Sequence, residues 1–204
     1  MLKKTASGIA AGICITLGGA VFLAVENRIV GAVLFSVALL SICLKAYALF
    51  TGKVGFIPEN HCRDSVETLM LGLLGNTIAT ILGGLVVRAA LPNLGAAAET
   101  VCGAKLSQVW WSTLIRGAFC GILMYLAVST FRDNKTPVGI LFCIPVFILS
   151  GFEHSIADIF YFAASGIVSL KAFAFICLVI LGNALGAMIL PLLSGFCGKE
   201  RDHA

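Results

Sequence analysis

Residues 150–160 read SGFEHSIADIF, with Glu153, His154 and Asp158 as their ionisable members. The stretch follows an apolar run, Val138 to Leu149, and more apolar chain comes soon after it. Three titratable side chains therefore sit where their neighbours avoid water. In a bilayer such residues are expensive, and they mark a pathway or a site.

The rest of the chain says that the surroundings are a bilayer. Of its 204 residues, 59% are hydrophobic and 12% charged, and the mean hydropathy is +1.03. A soluble domain of this length has no means of hiding so much apolar surface. Several runs approach the twenty residues that cross a hydrocarbon core about 30 Å thick. Six spans are expected, at residues 5–24, 29–50, 66–91, 109–131, 137–162 and 171–196. The first has the basic start of a signal peptide in Lys3 and Lys4. Its apolar run is too long for one, and no small-residue cleavage site precedes the second span.

Loop charge sets the orientation. Lys3, Lys4, Lys45, Lys53, Arg63, Arg132, Lys135, Lys199 and Arg201 fall on one side of the six spans. Arg28, Arg88, Lys105 and Lys171 fall on the other, and Arg116 lies inside a span. Nine against four places both termini in the cytoplasm. The net charge of +4 suits loops beside an anionic leaflet, and no basic patch suits nucleic acid. The eight cysteines form no CxxC pair or Cys/His cluster, so neither a metal site nor any other cofactor is expected.

The sequence repeats. SGIAAGICITL (residues 7–17) and RGAFCGILMYL (116–126) both carry GxxxG, at Gly8/Gly12 and Gly117/Gly121. Leu74-Gly75-Asn76 and Leu181-Gly182-Asn183 share LGN. The separations are 109 and 107 residues, so the chain divides into two three-span copies, residues 5–91 and 109–196, followed by a short cytoplasmic tail at 197–204. An odd number of spans inverts the second copy, as in many transporter folds. The second span ends in ALFTGKVGFIP (residues 48–58), rich in breakers, and the fifth is interrupted by SGFEH. These are corresponding places. Paired interruptions at membrane depth line a cavity or are buried in protein.

These residues resemble the formate–nitrite transporter family. GFEHSIADIF matches its hallmark around a broken fifth helix, and LFTG (residues 49–52) matches the end of its second-helix signature. GAFCGILMYLA (117–127) is similar to its fourth-helix signature, and LGN at 181–183 to its sixth helix. Lys105 stands twelve residues before Gly117, the family's spacing for a vestibule lysine. The chain departs from the pattern at Gly121 and Asp158, where Asn is usual. It also has Ala46-Tyr47-Ala48 where Gly-Ala-Glu is usual, and it carries little of the amphipathic N-terminal helix.

The resemblance implies an all-α, aquaporin-like protomer of six transmembrane helices with broken second and fifth helices. It implies assembly as a homopentamer in the inner membrane, with a pore in each protomer. Substrates would be small monovalent weak-acid anions (formate, nitrite or hydrosulfide) moved passively or with protons. His154 would be the central pore histidine, Thr51 the hydroxyl facing it, Lys105 the vestibule cation and Asn183 a support. Phe35, Leu39, Phe50 and Phe147 would form two apolar constrictions. Glu153 is expected to bond the free N–H groups of the broken helix, as an anion at a positive helix end. Asp158 is expected to face away from the lumen or be neutral, with Arg116 an available partner. A neutral-solute channel is the alternative, but NPA repeats and a twin-histidine pore are both missing from the sequence. An enzyme would want a nucleophile or second histidine at the same depth, and His154 is the one intramembrane histidine.

Overall fold

The computed structural model describes residues 1–196; the tail expected at 197–204, with Cys197, lies outside them. Along the described chain run α1 (Leu2–Ala24), α2 (Arg28–Leu44), α3 (Phe50–Lys53) with a 3₁₀ turn at Val54–Phe56, and α4 (Arg63–Ala90). Then follow α5 (Pro92–Leu106), α6 (Trp110–Asn134), α7 (Val138–Leu149), α8 (Ser155–Ser165) and α9 (Leu170–Phe196). By length and composition α1, α4, α6 and α9 are apolar enough to cross a membrane, while α2, α7 and α8 are shorter apolar helices.

Glycine sets which helices touch. α1 lies on α4, and α6 on α9. A Cβ added at Gly8 would stand 2.6 Å from the Gly72 carbonyl oxygen, and one at Gly182 would stand 2.6 Å from that of Leu114. No side chain fits there, so the backbones meet directly, as in small-residue helix pairs of membrane proteins.

One element departs from expectation. Residues 92–106, read from the sequence as connecting loop, form the 15-residue helix α5, so Lys105 is a helix residue and not a loop lysine. Pro92 occupies its first turn, where a missing N–H costs nothing. The helix buries Gly95, Ala98 and Cys102 and packs on α8. Its apolar residues form no clean stripe, which hid it from a periodicity argument.

The chain is non-helical between α2 and α3 and between α7 and α8, and the two exits are built alike. After α2, Lys45 N–H donates to Ser41 C=O (3.0 Å), Ala46 N–H to Cys43 C=O (3.2 Å) and Tyr47 N–H to Ile42 C=O (3.0 Å). After α7, Ser150 N–H donates to Val146 C=O (3.0 Å), Gly151 N–H to Ile148 C=O (3.2 Å) and Phe152 N–H to Phe147 C=O (2.9 Å). Every pair is 105 residues apart. Each turn hinges on a left-handed residue, Ala46 at φ 54° and Gly151 at φ 69°. This is the glycine position of a helix C-terminus, and the turn after α2 fills it with alanine.

Candidate functional site

Each interrupted segment is held by a buried asparagine. Asn76 of α4 accepts from Phe50 N–H (2.9 Å) and donates to Gly8 C=O (2.8 Å) and Ala48 C=O (2.9 Å). Asn183 of α9 accepts from Ser155 N–H (2.9 Å) and donates to Gly117 C=O (2.8 Å) and Glu153 C=O (2.8 Å). Without them, backbone groups at both interruptions would be buried and unpaired. The Ala48 N–H goes to Ser7 Oγ (2.9 Å) and the Glu153 N–H to Arg116 C=O (3.3 Å), which completes the parallel.

The two segments meet at His154 and Thr51, both buried. Thr51 Oγ1 is 2.9 Å from His154 Nε2. His154 is also the N-cap of α8, with Nδ1 accepting from Ala157 N–H at 3.2 Å. An accepting Nδ1 carries no proton, so the neutral ring holds its proton on Nε2 and donates it to Thr51. The Phe147 ring stacks on the imidazole with centroids 5.7 Å apart, and Phe35 meets Phe147 edge-on at 6.3 Å.

Two cavities are lined by these and neighbouring residues. One, about 670 Å³, is lined by Phe35, Phe147 and His154 and by Lys105, Glu153, Asp158, Arg28 and Arg116. The other, about 570 Å³, is lined by Leu39 and Leu49 and by Lys53, Arg132, Lys135 and Asp64. Phe50 lines neither; it is buried as the first residue of α3, and Leu49, not singled out in the sequence, stands beside Leu39 instead.

Charge at the first cavity is arranged differently from expectation. Lys105 Nζ pairs with Glu153 Oε2 and, at 2.8 Å, with Asp158 Oδ1. Glu153 Oε1 accepts from Gln108 Nε2 (2.7 Å), and the Gln108 carbonyl oxygen accepts from Thr113 Oγ1 (3.1 Å). Glu153 therefore does not cap the broken helix, because His154 and Asn183 take its free N–H groups. Asp158 lines the cavity and does not turn away from it; its partner is Lys105, while Arg116 donates to Gly151 C=O at 2.9 Å. Lys105 is thus engaged by two acidic side chains. Arg28 and Arg116, both missed as cavity residues, have no acid within ion-pair distance among the described residues. The signal for Arg116 was present in the sequence, as a basic residue inside a span.

The profile of the family described as Formate/nitrite transporter matches residues 1–196. The chain is similar to the nitrite transporter NirC of Escherichia coli, 28% identical over 163 residues, which are 74% of this chain and 60% of that protein. It is similar to the formate channel FocA of Haemophilus influenzae, 22% identical over 179 residues, 76% of this chain and 63% of that protein. It spans about 60% of the length of such curated relatives. Among solved structures, an FNT family ion channel superposes with a TM-score of 0.85 at 23% identity, covering 96% of this chain and 90% of that one. A pentameric formate channel with formate bound superposes with a TM-score of 0.81 at 20% identity, covering 96% of both chains. A family match across the described length, with the same helical fold, has one consequence: the chain belongs to the formate/nitrite transporter family.

Proposed function

We propose that the chain carries small monovalent weak-acid anions (formate, nitrite or hydrosulfide) across the inner membrane, passively or with protons. Each protomer holds its own pore, with six spans in two inverted copies, the second and fifth interrupted, inside a homopentamer. The resemblance to a pentameric formate channel supports this assembly. With both termini cytoplasmic, the cavity of Lys105 faces outward and that of Lys53 inward.

The observation that carries the reading is the pair of cavities, one lined by Phe35, Phe147 and His154 and the other by Leu39 and Leu49, together with the buried His154–Thr51 contact; in this reading those side chains form one apolar layer between the two. Basic residues on both cavity walls concentrate anions at the two mouths. A bare anion pressed into the layer meets a desolvation penalty on the order of ten kcal/mol or more. Protonating a carboxylate of ordinary acidity at neutral pH costs only roughly 4.5 kcal/mol. The smaller figure wins, so the substrate crosses as the neutral acid. The His154 Nε2–H that now serves Thr51 is the donor positioned to bind the substrate oxygen. It does not surrender that proton, because an imidazolate would remain.

Flux into liposomes carrying the purified chain, for formate, nitrite and hydrosulfide at two pH values, tests this. Uptake above protein-free liposomes, faster at the lower pH and slowed in His154→Asn, is expected. Uptake equal to protein-free liposomes for every anion sinks the reading.

A further inference from the structure

The Lys105 cluster does not balance. One ammonium is in contact with two carboxyl groups; the Glu153 and Asp158 side chains are buried, and Lys105 keeps only a small exposure to the cavity. Both oxygens of Glu153 have donors, from Lys105 and Gln108. Asp158 Oδ1 has Lys105, but Asp158 Oδ2 is buried with no hydrogen-bond partner. A buried carboxylate oxygen left bare is costly, and so is a buried net charge. A proton on that oxygen removes the charge imbalance, since it leaves one ammonium with one carboxylate and one neutral acid, and a neutral O–H is less costly to bury unpaired than a carboxylate oxygen.

We propose that Asp158 Oδ2 holds an exchangeable proton and delivers it to a weak-acid anion that has entered the Lys105 cavity. This deepens the transport reading above and rests on it. In the step the Oδ2–H bond breaks and an O–H bond to the anion forms. The neutral acid leaves toward the apolar layer, and the Asp158 carboxylate remains against Lys105 until water reaching the cavity reprotonates it. Rotation about the Asp158 Cβ–Cγ bond carries the O–H between its closed position and the cavity. His154 cannot take this part while its Nδ1 accepts from Ala157 N–H, because its one ring proton is committed.

The groups facing Asp158 come from several elements. Lys105 and the Cys102 thiol lie on α5, and Glu153 and His154 lie in the segment before α8. Tyr161 is on α8 itself, and Lys105 sits 5.8 Å above its ring. Arg116 and the buried Cys120 are on α6, and Arg28 lies at the start of α2. Arg88 of α4 is turned to the Ser165 carbonyl. Among the described residues only Lys105 is within ion-pair distance of Asp158.

Asp158→Asn keeps an oxygen for Lys105 and removes the proton site. Initial rates of radiolabelled formate uptake are measured for both proteins in liposomes, from mildly acid to mildly alkaline pH. The intact chain is expected to show a titration step beyond the change in free formic acid. The variant is expected to lose that step and follow the bulk acid alone. Identical profiles overturn the proposal. Infrared spectra of the intact chain minus Asp158→Asn, at neutral pH and without substrate, give a reading independent of transport. A protonated-carboxyl C=O band is expected in the difference, and its absence overturns the proposal even if formate moves. If the band is present and no weak acid moves, the proton site stands, the transport reading falls, and delivery to an anion is overturned with it.

Discussion

Asn76 and Asn183 make the same three hydrogen bonds from opposite halves of the chain. Each accepts from the first N–H of the helix beyond an interruption, and each donates to a carbonyl of the interruption and to the first glycine of a GxxxG pair. They are therefore the clamps that hold the two buried non-helical segments. A buried polar group left unpaired costs about 1–3 kcal/mol. Asn183→Ala strands several, so a loss of roughly 3 kcal/mol is expected, and Asn76→Ala should lose a similar amount. Thermal unfolding in detergent checks both. A variant at either position that melts with the unaltered chain would show that its clamp carries no load.

The left-handed hinge residues differ in fit. Ala46 sits at φ 54°, where a Cβ is unwelcome, and Gly151 sits at φ 69°, where glycine is at ease. The left-handed region costs a non-glycine residue about 1–2 kcal/mol, while glycine adds about 0.5–1 kcal/mol of unfolded-state entropy. Ala46→Gly should then stabilise by about 0.5 kcal/mol. Gly151→Ala should destabilise by more than about 1 kcal/mol, because its Cβ would also stand 3.1 Å from Arg116 Nη1. Opposite shifts of the melting temperature are the expected outcome.

Much of this was legible in the residues. Breaking and polar residues in apolar chain marked the two non-helical segments at GFEH and LFTG, whereas the facing of Thr51 and His154 and the supporting place of Asn183 came only from the family resemblance. What stayed hidden depended on three-dimensional partners. α5 gave no stripe to read, because the face it buries is built of Gly95, Ala98 and Cys102, which are too small to stand out as apolar. Lys105 looked like a free cation because spacing cannot show that Glu153 and Asp158 both fold onto it. Leu49 was invisible beside Phe50, because one residue's step at a non-helical turn decides which side chain reaches the cavity.

Arg28 is expected to gather anions at the outer mouth. It lines the cavity, is exposed and has no acid partner within ion-pair distance among the described residues. Arg28→Gln should raise the formate concentration for half-maximal uptake several-fold at low ionic strength. The difference should shrink as salt approaches physiological levels, where the screening length is about 8 Å. A defect independent of salt would assign Arg28 a role other than attraction.

Leu39 and Leu49, each 1% exposed, line the Lys53 cavity, and the proposed pathway makes them its apolar constriction on that side. Truncating either to alanine removes apolar packing and widens the passage. A loss of about 2–5 kcal/mol in stability is expected from the space left behind. Uptake of a bulkier monocarboxylate such as lactate should rise relative to formate. If the ratio of lactate to formate flux stays fixed in both variants, the narrowest point lies elsewhere.

Cys62 reports the orientation of the chain. It is exposed just before α4, on the side assigned to the cytoplasm, whereas Cys102 and Cys120 are buried. Its Sγ lies 3.2 Å from Ser65 Oγ. That hydroxyl holds the thiol below its ordinary pKa, mainly by hydrogen bonding to the thiolate. The thiolate is the reacting form, so maleimide labelling should persist to lower pH than for an unassisted cysteine. Ser65→Ala should move the labelling midpoint upward. With a membrane-impermeant maleimide, inside-out vesicles should label quickly and right-side-out vesicles should not, with Cys62→Ser as the control for the other thiols. The reverse pattern would turn the protein over in the membrane and exchange the inner and outer cavities.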